Sequence, residues 1–429
     1  MSQMKTSKED VSFDGLGLSQ KLLDKLQKLN FTSPTDIQHK SIPVAVEGRD
    51  VIGIAQTGTG KTLAFVLPLL QQVARTGKTG LVVAPTRELA GQVEEQVCMV
   101  GDSLGFRRAL LIGGDSIGKQ VSQIRRRPHI MIGTPGRIID LVESKRLTLD
   151  QVGILVLDEA DRMLDMGFAP QINQILKHVS KERQTMLFSA TMAPEITRMA
   201  SEYMKMPVRV EVARAGTVAE RVDQELFIVS KNDKSRLLLK LLEDYSGTVL
   251  VFSRTKHGAK RICKGLNHAG HNAAEIHSNL TLAQRRRALD GFKSGKYRVL
   301  VATDIAARGI DVTNIELVIN YDLPDSPDDY VHRVGRTGRA GSSGKAISFI
   351  TSDQRGKVRI IERLVRQRLS YSKLPELPKE GLHMPRERDD RDNRGYSQRG
   401  RGSRGQQRNS SGRGLAARSR SNRRVRMHH

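Results

Sequence analysis

Tryptophan is absent from these 429 residues, and the aromatic residues together reach only 4%. Without large rings, the cores must be aliphatic, as expected of parallel-sheet strands buried on both faces. Cysteine is nearly as scarce, with Cys98 in one half of the chain and Cys263 in the other. Such usage excludes a disulfide framework or a four-ligand zinc site and fits buried, inert thiols in a reducing cytosol. No apolar run approaches the roughly 18 residues that a membrane span requires. Met1–Asp10 is polar and lacks an apolar signal region. A cytoplasmic protein without a membrane segment is the expectation.

Acidic residues are outnumbered, 46 against 71 Lys and Arg, which leaves a net charge of +25. Twelve arginines and a single acid, Asp392, lie between Arg391 and His429. Such charge suits phosphate backbones, with binding that weakens steeply as salt rises. An anionic membrane is the poorer partner, because this segment has no apolar face to insert. From residue 380 onward the apolar periodicity stops and Arg-Gly pairs dominate, so residues 380–429 are expected to be disordered. The tail's anion, RNA or an acidic protein surface, stays open on charge alone.

What is abundant is short β-branched runs, each followed by a turn and a helical pattern. They are Val51–Ala55, Leu81–Ala84, Ile130–Gly133, Ile154–Leu157 and Met186–Phe188 in the first half. Leu226–Val229, Val249–Phe252, Val299–Ala302, Leu317–Asn320 and Ile347–Ile350 follow in the second. Strands alternating with helices predict βαβ units in parallel sheets, two copies of one α/β architecture. The expected division is residues 1–12 disordered, a first domain at 13–212, a linker at 213–221 and a second domain at 222–379.

One strand runs into Gln56-Thr57-Gly58-Thr59-Gly60-Lys61-Thr62 and then an apolar helix. Glycines there let backbone N–H groups approach an anion, and the helix N-terminus favours its charge. Lys61 would reach the outer phosphates of ATP, and Thr62 would sit on Mg²⁺. The first glycine usual in this pattern is Ala55 here. Ile154–Leu157 leads directly into Asp158-Glu159-Ala160-Asp161, where Asp158 would hold Mg²⁺ and Glu159 would polarise the attacking water.

Asp158–Asp161 spells DEAD, and with its companions the chain resembles the DEAD-box RNA helicases. Those companions are Gln56–Thr62, Pro85–Ala90 (PTRELA), Thr134–Arg137 (TPGR), Ser189-Ala190-Thr191, Val251–Thr255, Thr303–Asp311 and His332–Arg339. Arg162–Phe168 and Thr255–Ala259 are similar in wording to the bacterial RhlE-type subgroup. The likeness runs from about Phe13 to Leu369.

The resemblance implies two tandem RecA-like P-loop domains with ATP, Mg²⁺ and RNA across their cleft. Gln38 would select adenine and Phe13 would stack on the base. Two departures stand nearby: Asn30 where the family usually has glycine, and Asp36 where it often has proline. Asparagine tolerates left-handed backbone. Gly309 and Asp311 would approach the ribose, while Arg336 and Arg339 would act as arginine fingers beside His332. Ser189 and Thr191 would link Asp161 to His332. RNA contacts would come from Pro85, Thr86, Arg87, Gly114, Thr134 and Arg137 in the first domain and from Arg254 and Thr303 in the second. The implied function is local, non-processive unwinding of short RNA duplexes by a monomer, coupled to RNA-stimulated ATP hydrolysis. Single-stranded RNA and short duplexes are its implied partners, with RNA-decay or ribosome-assembly proteins beside them. An ATP-gated RNA clamp is the alternative; a DNA helicase is disfavoured by the DEAD spelling and Gln38.

Overall fold

The computed structural model describes residues 12–56, 58–212, 222–307, 315–338, 344–365 and 367–383. The first domain contains β1 (Val51–Ile54), β2 (Thr79–Val83), β3 (Arg108–Leu111), β4 (Ile130–Gly133), β5 (Val152–Leu157), β6 (Gln184–Ser189) and β7 (Val208–Glu211). All are parallel, in the order β3-β4-β2-β5-β6-β1-β7. Around them lie α1 (Gln20–Lys28), α2 (Asp36–Val46), α3 (Lys61–Thr76), α4 (Arg87–Gly101), α5 (Ile117–Arg125), α6 (Pro135–Glu143), α7 (Ala160–Asp165), α8 (Ala169–His178) and α9 (Pro194–Tyr203).

The second domain repeats the plan. Its strands are β8 (Val222–Ile228), β9 (Val249–Phe252), β10 (Ala273–Ile276), β11 (Val299–Ala302), β12 (Leu317–Asn320), β13 (Gly344–Ile350) and β14 (Ser370–Ser372). They are parallel in the order β10-β11-β9-β12-β13-β8-β14, the same pattern strand for strand. Its helices are α10 (Lys234–Asp244), α11 (Lys256–His268), α12 (Leu282–Lys293), α13 (Asp304–Ala307), α14 (Pro327–Val334) and α15 (Arg355–Val365).

Each sheet has a separate apolar cluster on each face, which is why its central strands read as unbroken apolar runs. Every residue of β1, β4, β5 and β6 is buried. At roughly 1.5–3 kcal/mol per fully buried aliphatic side chain, these two-sided cores are the main stabilising force. All ten expected strands are present, with ends that differ by a few residues. Among the described residues there are four more, β3, β7, β10 and β14, and they are the four sheet edges.

The expected linker, 213–221, lies outside the described residues, as do residues 1–11 and 384–429 of the two ends. Packing continues four residues past 379: Leu382 is 7% exposed and fits over Gly265 of α11. Asn30 takes φ 58°, left-handed backbone suited to the glycine that usually stands there.

Candidate active site

Parallel pairing aligns strand ends, so the loops that follow β1, β2, β4, β5 and β6 emerge together. Ile54 pairs with Ser189, and Val83 pairs with both Leu157 and Gly133. In open parallel sheets, ligands bind in the crevice beyond these carboxyl ends.

The loop after β1 carries Gly58 at φ 84° and Gly60 at φ 91°. Thr59 Oγ1 donates to the Gln56 carbonyl at 2.7 Å and tightens the turn. A Cβ on Gly60 would lie 2.5 Å from Gln38 Nε2, so only glycine fits there. Lys61 opens α3 and is 7% exposed, and its Nζ has no hydrogen-bond partner. Thr62 follows it, half-buried, and Thr57 lies outside the described residues. A buried ammonium without a partner is costly, and an anion in the cradle would relieve it.

Across from it, Asp158 follows β5, with its N–H donating to the Val83 carbonyl at 3.0 Å. It is 3% exposed, and its Oδ1 has no donor. Burial and the neighbouring Glu159 push its carboxyl well above the usual range. A buried, donor-less carboxylate oxygen facing a phosphate cradle fits a hard divalent cation such as Mg²⁺. Glu159 shows the opposite behaviour. Burial alone would raise it, but Arg162, Lys61 and Arg336 together hold its carboxyl ionised. Arg162 Nη1 donates to Glu159 Oε2 at 2.7 Å, and both side chains are buried. Sequence reasoning missed Arg162; its only signal was the i,i+3 spacing from Glu159.

Asp161 ties β6 to this corner. Its Oδ2 accepts from the N–H groups of Ala190 and Thr191 and from Thr191 Oγ1, at 2.9–3.1 Å. Its own N–H donates to Ser189 Oγ at 3.3 Å. His332 of α14 comes close: the charges of Arg162, Asp161, Arg336 and Glu159 all act on it. Burial first, then Arg162, depress its pKa, so the imidazole is neutral. Arg162 and six residues of the second domain, among them His332 and Arg336, line a cavity of about 10 Å³, room for one water.

Arg336 is 3% exposed, and its Nε donates to the His332 carbonyl at 3.2 Å. From the second domain, its charge bears on Glu159 of the first. Arg333, by contrast, is a strut. It donates to Asp304 at 2.5 and 2.7 Å, to Asn320 Oδ1 at 3.1 Å and to the Asp322 carbonyl at 2.6 Å. Arg339, Gly309 and Asp311 lie outside the described residues.

Gln38 and Phe13 are placed differently from a free base-reading pair. Gln38 Oε1 accepts from Thr35 N at 2.9 Å, and its Nε2 donates to the Gly60 carbonyl at 3.0 Å. The amide thus joins the start of α2 to the phosphate loop. Phe13 is 4% exposed within the first domain's apolar cluster.

Most of the expected RNA residues gather in two groups. Pro85 and Thr86 follow β2, and Thr86 caps α4 by accepting from Leu89 N at 3.2 Å. Arg87 lies across Gly113 and Gly114, and Arg137 Nη1 donates to the neighbouring Asp115 carbonyl at 3.4 Å. Thr134, 9% exposed, precedes α6. Arg254 and Thr303 follow the paired strands β9 and β11. Between the domains stands a contact absent from the sequence reading. Arg285 of α12 donates to Glu88 of α4 at 2.7 Å, and both side chains are 9% exposed.

A family model described as DEAD/DEAH box helicase matches residues 35–199, and one for the helicase conserved C-terminal domain matches residues 233–341. The ATP-dependent rRNA helicase RRP3 of Debaryomyces hansenii is 42% identical over 344 residues, 79% of this chain and 72% of that protein. The DEAD-box ATP-dependent RNA helicase CshA of Streptococcus pneumoniae is 44% identical over 362 residues, 84% of this chain and 69% of that protein. The solved structure of S. cerevisiae Dbp5 bound to RNA and ADP BeF3 has a TM-score of 0.77 at 31% identity, over 89% of this chain and 97% of that one.

Proposed function

This chain belongs to the DEAD-box family of ATP-dependent RNA helicases, and from that premise we propose that it opens short RNA duplexes locally and without long translocation. The observation that carries the reading is that Arg336 and His332 of the second domain share a cavity with Arg162, the partner of Glu159 in the first. Hydrolysis then requires both domains together, and an RNA strand held across them is what draws them in.

Lys61 and the loop N–H groups hold the outer phosphates of ATP. Thr62 and Asp158 would hold Mg²⁺, which when bound neutralises charge on those phosphates. Glu159, kept ionised and oriented by Arg162, accepts a proton from the attacking water. Arg336 and Arg339 neutralise the charge that develops on the transferred group, a contribution worth about 10³–10⁵ in rate. Asp161 holds the Ser189–Thr191 turn that borders the second domain, where neutral His332 packs. We assign the adenine to the corner of Phe13, Gln38 and the phosphate loop, and the ribose to Gly309 and Asp311.

The strand lies over Pro85, Thr86, Arg87, Gly114, Thr134 and Arg137, then Arg254 and Thr303. Contacts of this kind position a backbone and do not read sequence. Bending it costs pairing nearby, at roughly 1.4 kcal/mol per base step by analogy with DNA. We further propose a monomer acting in the cytoplasm, in ribosome assembly or RNA turnover, and an RhlE-type affiliation that rests on Arg162–Phe168 and Thr255–Ala259 alone. No described helix is long and apolar enough to cross a membrane.

Steady-state ATP hydrolysis without nucleic acid, with single-stranded RNA and with single-stranded DNA, at fixed salt, tests the coupling. The expected result is strong stimulation by RNA alone. Equal stimulation by DNA would defeat the RNA assignment, and stimulation without opening of short duplexes would make the protein an ATP-gated clamp.

A further inference from the structure

Strand order makes the two domains superimposable in plan: β8, β9 and β12 occupy in the second sheet the places of β1, β2 and β5 in the first. The second domain therefore has a counterpart of the nucleotide corner, and its residues can be compared one by one. Lys61 opens the helix after β1, and Lys234 opens the helix after β8; each is 7% exposed. Lys61 Nζ has no partner, whereas Lys234 Nζ donates to Asp322 Oδ1 at 2.9 Å and to the Tyr321 carbonyl at 2.6 Å. Asp322 stands two residues beyond β12, as Glu159 stands two beyond β5. The segment Val229–Asp233 that replaces the phosphate loop contains no glycine. The second corner has neutralised its own lysine and lost its cradle, so it does not take ATP.

An open groove of about 530 Å³ nevertheless remains there. Lys231, Arg254 and Arg261 line it with exposed cationic side chains, beside Ser253, Thr351 and Gln354. Among the described residues lining it, the one carboxylate is Asp322, already paired with Lys234. Lys231, Arg254 and Arg261 thus leave the groove cationic beyond the Lys234–Asp322 pair, although Arg254 also acts on Asp322 and Lys231 on the exposed Asp353. Arg254 also belongs to the strand path proposed above, so the groove continues that path. Near residue 383 the described chain lies on the same helix that carries Arg261, with Leu382 over Gly265 and the His383 ring 6.2 Å from His268.

We propose that this groove, the second domain's disused nucleotide corner, receives the backbone phosphates of RNA beyond the segment held between the domains. The inference rests on the RNA path of the preceding section. Its test uses the full chain carrying Lys231→Gln and Arg261→Gln together, with a non-hydrolysable ATP analogue and single-stranded RNAs of roughly 6 and 16 nucleotides. The short RNA should bind wild type and variant alike and, with ATP in place of the analogue, stimulate hydrolysis alike. The long RNA should bind the variant roughly three- to tenfold more weakly, as expected for two solvent-exposed charge contacts. Two fewer neutralised phosphates, at about 0.7 each, should lower its log–log salt slope by about 1.4.

No loss with the long RNA, or an equal loss with both lengths, overturns the proposal. So does saturable binding of inorganic triphosphate to wild type but not to the variant, if long-RNA affinity is equal in the two; the groove would then hold a free polyphosphate. Failure of wild type to bind even the short RNA would instead defeat the function proposed above, and this inference with it.

Discussion

Glu159 sits at φ 51° and ψ 52°, left-handed backbone that a glutamate adopts only where surrounding contacts hold it, at a cost of about 1–3 kcal/mol. The Arg162 bond and the bonds around Asp161 supply that hold. Glu159→Gln keeps an acceptor for Arg162 but loses the base, so kcat should fall about 10²–10⁴-fold while ATP-dependent RNA binding persists. Loss of RNA binding together with kcat would mean that the residue's role is structural. Arg336→Ala should lower kcat by about 10³–10⁵ with little change in nucleotide affinity, measured by titration of a fluorescent analogue. His332 is held neutral by burial and Arg162, below its ordinary value of 6.5. Its contribution to the closed arrangement is therefore full above 6.5 and lost as pH falls below it. RNA-stimulated hydrolysis should decline from about pH 7 to 5.5, and His332→Gln should flatten that decline. Lys61, Asp158 and Glu159 were legible in the sequence because each follows a recognisable apolar strand. Arg162 was not, because its meaning depends on which way α7 turns after Glu159.

At the scale of elements, legibility followed burial. Central strands such as β4 and β12 announced themselves as apolar runs and were located to the residue. The edge strands did not. In β7 only Val210 is fully buried, and β14 has no fully buried residue, so neither presents a continuous run. A strand paired on one side needs fewer apolar residues, and polar edges also deter unwanted pairing. The tight packing of β1 against β6 leads to a stability prediction. A Cβ on Gly53 would lie 2.5 Å from the buried Phe188 ring, which packs 5.4 Å from Phe65. Gly53→Ala should destabilise the first domain by about 1–3 kcal/mol, seen as a lowered midpoint in thermal unfolding. An unchanged midpoint would show that the ring can move aside.

For the whole molecule, the coupling of the two domains depends on contacts that the linear sequence hides. Glu88 and Arg285 are far apart in the chain, yet their side chains meet at 2.7 Å with little exposure. Removing one partner leaves the other charged and buried, and the penalty falls on the closed arrangement. Arg285→Ala should therefore raise the RNA concentration needed for half-maximal ATP hydrolysis, with basal hydrolysis unchanged. The exchange Glu88→Arg with Arg285→Glu should recover most of the loss; failure to recover would mean that the arginine serves another partner. Arg333 has a different consequence at this scale. Its bonds to Asp304, Asn320 and the Asp322 carbonyl pin α14 to the second sheet, so Arg336 arrives only when that entire lobe does. A finger on a slack loop would stray into place by chance and fire without cause. Under the function proposed above, such a mount predicts little hydrolysis while the lobes are apart, so that idle copies would draw little ATP.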